Sequence, residues 1–271
     1  APGRDADRAL EPVRRPAGRL LVCAMAIYRL FDDPVFPDPA EAEADGLLAV
    51  GGDLSPLRLV NAYAAGVFPW YGQESPILWW SPDPRPILEP ARLHVPKSLR
   101  RTLNANRFRF TFDRDFGAVI RACAEQPRPG QDGTWILPEM IEAYERLHVL
   151  GFAHSLEARD GEGGDLVGGI YGLALGRAFF GESMFHTVSG ASQAALAVLM
   201  RHLGERGYHF LDCQQATPHV LRLGAREVSR REFLRRLNLA LRQPTEQGPW
   251  TGHDLSGAWS NGRSQAESAQ S

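Results

Sequence analysis

The stretch that decides the fold is LVGGIYGLALGRAFFGESMF, residues 166–185. Two apolar runs, 166–175 and 178–185, are separated by Gly176-Arg177, a pair suited to a tight turn. The segment 153–159 reads as a further strand, followed by a turn rich in Gly and Asp at 160–164. The sequence therefore predicts three consecutive strands in this region.

A helix and a fourth strand follow. Apolar residues recur with helical spacing at Leu196, Leu199, Met200 and Leu203. Residues 208–213 then read as a buried strand, and 230–242 as a last amphipathic helix. This β-β-helix-β succession resembles the acetyltransferase-like (GNAT) core, in which two neighbouring strands splay and an acyl donor binds in the gap. Topology alone does not identify the donor.

The chain is expected to have four parts. Residues 1–24 are interpreted as a flexible N-terminal extension and residues 25–88 as a small N-terminal α/β domain, in which Ser55 caps a helix that Gly66 ends. Residues 89–242 form the GNAT-like domain, and residues 243–271 a disordered tail. The predicted class is α+β.

Composition sets limits on function. The 271 residues include 30 basic and 32 acidic side chains, and 44% are hydrophobic, as in a globular protein. No apolar run is long enough to span a membrane. The three cysteines are far apart, without a CxxC pair, and no HExxH motif occurs. We expect a cytoplasmic protein without a metal site.

Charge is unevenly distributed along the chain. Residues 26–53 contain seven acidic residues and one arginine, whereas residues 85–128 contain ten basic and four acidic residues. Lys97, Arg100 and Arg101 fall on one predicted helical turn, which suits either a phosphate-binding patch or a solvated helix face. The near-neutral total therefore does not exclude a nucleic-acid partner.

Two polar clusters stand where strands should end. One contains Glu182, and the other contains Asp212, Cys213 and Gln214. Strand alternation would place Asp212 and Gln214 on one face. A carboxylate beside an amide could hold an amine and polarise a carbonyl, as acyl transfer to an amine requires. A salt bridge or a cap is the competing interpretation for each acid.

Seven motifs occur in order and carry a family resemblance. They are LLAVGGDLSP (47–56), GVFPWY (66–71), ILWWSPDPRPIL (77–88), GTWI (133–136), LVGGIYG (166–172), FFGESMF (179–185) and FLDCQ (210–214). Over about residues 28–241 the sequence closely resembles the leucyl/phenylalanyl-tRNA–protein transferases.

The resemblance implies a cytoplasmic, monomeric enzyme that takes Leu or Phe, and Met less well, from aminoacyl-tRNA. The acceptor is the α-amine of a protein that begins with Arg or Lys, and the product is an N-degron that marks the protein for proteolysis. No cofactor is implied, because the ester of a charged tRNA is already activated. Residues 89–242 would then be the aminoacyl-transfer domain.

The same resemblance implies roles for individual residues. Gln214 would orient the reacting carbonyl, Asp212 would hold the attacking amine, and Glu182 would lie near the acceptor and the terminal adenosine. The aminoacyl and adenosine groups would be bound by Trp70, Trp135, Ile170, Met184 and Leu211. The tRNA backbone would be bound by Lys97, Arg100, Arg101 and Arg107. Thr187 and Gln193 stand where the family usually has basic residues.

Two other functions are compatible with parts of the sequence. An acetyl-CoA-dependent GNAT N-acyltransferase should carry a Q/R-x-x-G-x-G/A turn before its long helix, and residues 188–192 lack it. A non-catalytic RNA-binding protein could use the basic stretch with Trp79 and Trp80 as stacking platforms. That alternative leaves the polar cluster at residues 212–214 unexplained.

Overall fold

Two β-sheets with helices around them make up the computed structural model, which describes residues 19–22, 25–126, 134–252 and 255. The first sheet contains β1 (Arg19–Val22), β2 (Met25–Leu30), β3 (Leu47–Gly51), β4 (Phe68–Pro69) and β5 (Leu78–Trp80). The second contains β6 (Arg85–Leu88), β7 (Phe108–Phe112), β8 (Ala153–Asp160), β9 (Leu166–Leu175), β10 (Ala178–His186), β11 (Phe210–Asp212) and β12 (Arg226–Val228). The α-helices are α1 (Pro56–Ala64), α2 (Lys97–Asn104), α3 (Phe116–Glu125), α4 (Pro138–Val149), α5 (Ala191–Glu205), α6 (Pro218–Arg222) and α7 (Arg230–Leu241).

The first sheet has the strand order β1-β2-β3-β5-β4, and α1 connects β3 to β4 within it. As predicted, Ser55 caps α1, its hydroxyl accepting a hydrogen bond from the amide of Arg58. Gly66, with φ of +79°, lies just after the helix in the left-handed region that glycine favours. Arg58 itself is fully buried and donates hydrogen bonds to the backbone carbonyls of Phe31 and Asp33, which fastens the acidic segment to α1.

The second sheet has the order β12-β6-β11-β10-β9-β8-β7. The predicted strand over 166–175 is confirmed, and the next predicted strand extends to His186. Alternate residues of β9 and β10 belong to two apolar clusters, one on each face of the sheet. Trp79 is completely buried in the first cluster, so its interpretation as a base-stacking platform was wrong.

The parallel pair β10 and β11 separates after three residue pairs. Ala178, Phe179 and Phe180 pair with Phe210, Leu211 and Asp212, after which β10 continues without β11 beside it. The chain leaves β11 through Gln214, which has a φ of +59°. The predicted strand over 208–213 is therefore shorter than expected, and a gap opens between the two chain segments beyond Asp212.

A β-bulge lies at the edge of this gap. Gly181 pairs with Gly172 and Ser183 pairs with the adjacent Tyr171, so Glu182 is an extra residue in β10. A bulge redirects the side chain of its extra residue and bends the strand. Here it directs Glu182 into the space that the end of β11 leaves open.

Two predicted boundaries differ from the structure at the N-terminal side. Strand β6 lies between β12 and β11, so the change of sheet falls before Arg85 and not at residue 88. Residues 19–22 of the expected flexible extension form β1, which pairs antiparallel with β2. Residues 1–18 of that extension lie outside the described part of the chain.

The C-terminal boundary also differs. Residues 243–252, expected to be disordered, pack along the second sheet. Trp250 is 2% exposed, its backbone amide donates to Asp113 (2.7 Å), and its ring stacks on His154 with a centroid separation of 3.9 Å. A backbone hydrogen bond and the buried ring of Trp250 hold this segment against the sheet. The polar composition of the segment had predicted disorder instead. Residues 256–271 of the predicted tail lie outside the described residues.

Candidate active site

A cavity of about 360 Å³ occupies the gap between β10 and the segment that follows β11. One wall is aromatic, one is apolar and the floor is polar. Its lining includes Phe68, Trp70, Trp135, Ile170, Glu182, Met184, Leu196, Leu211, Cys213, Gln214, Gln215, Thr217, His219 and Val220. Of the eight residues predicted for the aminoacyl and adenosine groups or for catalysis, seven line this cavity, and Asp212 does not.

Glu182 lies at the polar floor, where three neutral groups donate hydrogen bonds to its carboxylate. Oε1 accepts from Tyr63 (2.8 Å) and from Nε2 of Gln214 (2.7 Å), and Oε2 accepts from Tyr144 (3.0 Å). The hydroxyl oxygens of Tyr63 and Tyr144 also lie next to each other, but each hydroxyl has one proton and donates it to Glu182, so this contact adds no further hydrogen bond. The position of the Gln214 amide thus depends directly on Glu182.

The proton affinity of Glu182 is set mainly by its burial. Removal from water raises its pKa to about 7, although the hydrogen bonds from Tyr63, Tyr144 and Gln214 act in the opposite direction. The carboxylate of Asp212 adds to the rise. A carboxyl group with a pKa near neutrality can both accept and return a proton at physiological pH.

Asp212 lies behind the cavity wall. Its carboxylate is completely buried and forms a two-point ion pair with Arg85, with Nε to Oδ1 at 2.9 Å and Nη2 to Oδ2 at 2.7 Å. Oδ1 also accepts the backbone amide of Gln214 at 2.9 Å. Both oxygens are occupied, so direct binding of an amine by Asp212 does not match its position.

The expected common face of Asp212 and Gln214 was also wrong. Strand alternation ends at Asp212, because the left-handed conformation of Gln214 turns the backbone. The Asp212 carboxylate therefore points to Arg85, while the Gln214 amide points to Glu182. Between these two residues, burial and the neighbouring Asp212 raise the pKa of the Cys213 thiol above its usual range.

The aromatic wall comes from the first sheet. Trp70 follows β4 and meets Trp80 edge-on, with ring centroids 5.8 Å apart. The indole nitrogen of Trp80 donates to the carbonyl oxygen of Trp70 at 2.6 Å. These contacts fix the Trp70 ring at the mouth of the cavity, with Trp135 from the segment before α4 also lining it.

The residues predicted to bind the tRNA backbone do not line this cavity. Lys97, Arg100 and Arg101 lie on α2, whose buried side chains are Leu99 and Leu103. Arg107 lies between α2 and β7, 3.8 Å from the carboxylate of Asp160. The helical turn of three cations is confirmed, and its role stays a prediction.

Residues that support the site were missed at the level of sequence. Tyr63 and Tyr144 lie on the buried faces of α1 and α4, where an aromatic residue reads as ordinary core. Arg85 was counted only as one of the ten basic residues of 85–128, yet it is fully buried between the rings of Phe68 and Phe233. An arginine inside the apolar run of a strand was the available signal.

No metal site is evident in the described ranges. Among those residues, no three His, Cys, Asp or Glu side chains are grouped so that they could hold a metal ion. Within the same ranges, no helix combines the length and apolar character needed to cross a bilayer.

A buried amide and carboxyl pair beside an apolar pocket defines the class of site: one suited to acyl transfer onto an amine. The chain belongs to the leucyl/phenylalanyl-tRNA protein transferase family. The family model matches residues 87–238, and the model of the family's N-terminal domain matches residues 52–83.

Relatives from Anaeromyxobacter agree with this assignment. A leucyl/phenylalanyl-tRNA–protein transferase from strain Fw109-5 is 60% identical over 226 residues, which cover 83% of this chain and 95% of that protein. The protein of the same name from Anaeromyxobacter dehalogenans strain 2CP-C is 59% identical, with 83% and 96% covered. Among solved structures, a GCN5-related N-acetyltransferase from Sphaerobacter thermophilus is 15% identical, covers 70% of this chain and 60% of its own, and has a TM-score of 0.30.

Proposed function

We propose that this chain transfers Leu or Phe, and Met less well, from aminoacyl-tRNA to the α-amine of proteins beginning with Arg or Lys. The product is an N-degron that directs the modified protein to proteolysis in the cytoplasm. The observation that carries the proposal is the meeting of Glu182, Gln214, Trp70 and the apolar residues in one cavity of a chain that belongs to this family.

In the proposed reaction, the neutral α-amine attacks the ester carbonyl of the aminoacyl-tRNA. The new C–N bond forms as the C–O bond to the terminal ribose breaks, and the ribose oxygen leaves as a hydroxyl after receiving the amine's proton. Gln214 donates from its amide to the carbonyl oxygen as negative charge develops there. Glu182, with a pKa near 7, accepts the proton and returns it to the leaving oxygen.

Asp212 is proposed as a positioning residue. Its pair with Arg85 fixes one end of the 212–214 turn, and its bond to the Gln214 amide fixes the other. Two restraints thus act on Gln214, one on its backbone and one on its side chain through Glu182. A reacting amide held within a fraction of an ångström contributes more to rate than a mobile one.

Two kinds of contact are proposed to bind the aminoacyl-tRNA: ring stacking on its terminal adenosine and apolar packing around its aminoacyl side chain. Trp70 and Trp135 hold the terminal adenosine, and Ile170, Met184 and Leu211 hold the aminoacyl side chain. A pocket with a flexible Met accommodates Leu, Phe and Met, because apolar pockets discriminate weakly between similar side chains. Lys97, Arg100, Arg101 and Arg107 would contact the tRNA backbone. The second sheet with its helices would act as a GNAT-like domain in a monomer.

The test mixes the purified protein with Phe-charged tRNA, labelled in Phe, and a peptide that begins with Arg. Labelled Phe should appear at the peptide N-terminus. Absence of transfer by a folded protein, or acetylation of the peptide from acetyl-CoA instead, would overturn the proposal.

A variant pair tests the role of Gln214. Gln214→Ala should lower kcat about a hundredfold, because it removes a donor to the developing oxyanion. The KM for Phe-tRNA should stay nearly unchanged. Gln215→Ala is the matched control, since Gln215 also lines the cavity but is exposed. Equal losses in the two variants, or a loss confined to KM, would contradict the assigned role.

A further inference from the structure

A cavity of about 560 Å³, here called the arginine cavity, lies on the outer strand pair of the second sheet, apart from the active-site cavity. Its lining consists of Arg109, Thr111, Arg114, Arg159, Glu162 and Gly163. The three arginines come from β7, from the segment before α3 and from β8, and Glu162 is the only acid in the lining. A cleft lined mainly by one sign of charge concentrates the field and attracts ligands of the opposite sign.

Two of these arginines oppose each other across the sheet. Arg109 on β7 is the direct partner of Arg159 on β8 in the antiparallel register. Like charges at opposed positions of such a pair repel each other and destabilise the sheet. Arg159 is partly neutralised by Asp115, whose carboxylate lies 3.2 Å from Nη2. Within the described part of the chain, the guanidinium groups of Arg109 and Arg114 have neither an ion pair nor a hydrogen bond. A bound anion would relieve this repulsion.

The backbone under the arginine cavity is held in place by a buried acid. The carboxylate of Glu157, which is completely buried, accepts hydrogen bonds from the hydroxyl of Thr111 and from the backbone amides of Arg114 and Asp115. These bonds fasten the segment that carries Arg114 to β8. Arginines on a fixed backbone lose less conformational freedom when they bind a ligand than arginines on a mobile loop.

Helix α3 connects the arginine cavity to the active-site cavity. Asp115, the partner of Arg159, immediately precedes α3. Just after the helix, the side chain of Gln126 accepts the backbone amide of His186 at 3.0 Å, and His186 lies two residues beyond Met184 of the active-site cavity. The ten residues of α3 span about 15 Å. The three strand spacings from β10 to β7 give a similar separation of about 14 Å.

From these observations we propose that Arg109, Arg114 and Arg159 bind backbone phosphates of the donor tRNA while its aminoacyl end occupies the active-site cavity. The inference rests on the proposed function and adds to it a phosphate-binding surface separate from the cations of α2. Every nucleotide of the strand that leaves the active-site cavity carries a phosphate, so a separation of about 15 Å is within its reach. The planar guanidinium group suits this role because it can bind two phosphate oxygens at once.

The test compares two donors, Phe-tRNA and Phe esterified to the 3′-hydroxyl of adenosine, which contains no phosphate. The variant Arg109→Gln/Arg114→Gln should raise the KM for Phe-tRNA about tenfold, because each lost phosphate contact is worth a few-fold in affinity. The dependence of log KM for Phe-tRNA on log salt concentration should become shallower by about 1–2. The KM for phenylalanyl adenosine and the KM for the acceptor peptide should match the wild type.

The matched control is Arg231→Gln/Arg235→Gln, which removes two exposed arginines of α7 outside the arginine cavity. It should keep the wild-type KM for both donors. An equal rise in KM for the two donors, equal effects of the two double variants, or a rise confined to the acceptor peptide would overturn the inference and leave the proposed function standing. The last of these results would assign the arginine cavity to an acidic segment of the acceptor. Absence of transfer from either donor by the wild type overturns both.

Discussion

Two buried carboxylates at the end of the β10–β11 pair have opposite surroundings. Asp212 is held by a guanidinium at two points, with Nη2 of Arg85 at 2.7 Å. Glu182 has only the neutral donors Tyr63, Tyr144 and Gln214, and its pKa is raised to about 7. The comparison shows that burial alone does not set the state of a carboxyl group. The paired guanidinium fixes the position of Asp212, whereas burial among neutral donors raises the pKa of Glu182 and leaves it able to exchange a proton.

The largest effect is expected from removal of the cation. Arg85→Met should lower the free energy of unfolding by about 3–5 kcal/mol, because it leaves the Asp212 carboxylate buried without a charge partner. Urea unfolding at pH 7 measures the loss, and Arg92→Met, at a half-exposed pair with Glu89, is the control. A second substitution, Asp212→Leu, should restore part of the stability. A cost no greater than that of Arg92→Met would show that the buried pair is not what holds this region.

A smaller effect is expected from the titration of Glu182. Its folded pKa of about 7 exceeds the ordinary value of 4.5, so the folded protein binds an extra proton between these values. Protonated Glu182 therefore adds up to about 3 kcal/mol to the free energy of unfolding below about pH 4.5. This contribution is lost as the pH rises through 7. Glu182→Gln should remove this slope, so the variant gains relative to the wild type between pH 5 and pH 8.

Denaturant unfolding at several pH values measures this difference, with Glu139→Gln as an exposed control. If the free energies of unfolding of the wild type and of Glu182→Gln changed in parallel between pH 5 and pH 8, the elevated pKa of Glu182 would be contradicted.

The smallest effect is expected from the neutral donors. Tyr144→Phe should cost about 1 kcal/mol, because one hydrogen bond to the Glu182 carboxylate is lost. The same change should move the pH at which Glu182 titrates upwards, since that bond lowers its pKa. Tyr71→Phe, whose hydroxyl donates to the exposed Glu139, should change neither quantity appreciably. A downward shift in Tyr144→Phe would reverse the assigned role of the tyrosine.

The sequence was most informative where local rules decide the structure. The strand over 166–175 and the cap of α1 by Ser55 followed from apolar runs and from the hydrogen-bonding capacity of serine. The cavity lining was predicted by family motifs, because Trp70, Trp135 and Gln214 lie far apart in the chain. No local pattern could have brought them together.

Long-range pairing explains what the sequence did not disclose. The burial of Arg85 depends on Asp212, which is 127 residues away, so charge counting could not reveal it. The left-handed turn at Gln214 interrupts an alternation that would otherwise hold. Tyr63 on α1 and Tyr144 on α4 differ from other core aromatic residues only because their hydroxyls contact Glu182. Glu182 lies on β10, far from both tyrosines in the sequence, so the sequence did not indicate this contact.

The C-terminal segment has a consequence for how the chain matures during synthesis. Trp250 contacts Phe112, His154 and Phe179, which belong to three different strands of the second sheet. A ribosome releases these strands long before it releases Trp250. One face of the sheet therefore keeps an incomplete apolar surface until the segment after α7 has emerged. Nascent chains stalled just after α7 would expose an aggregation-prone surface.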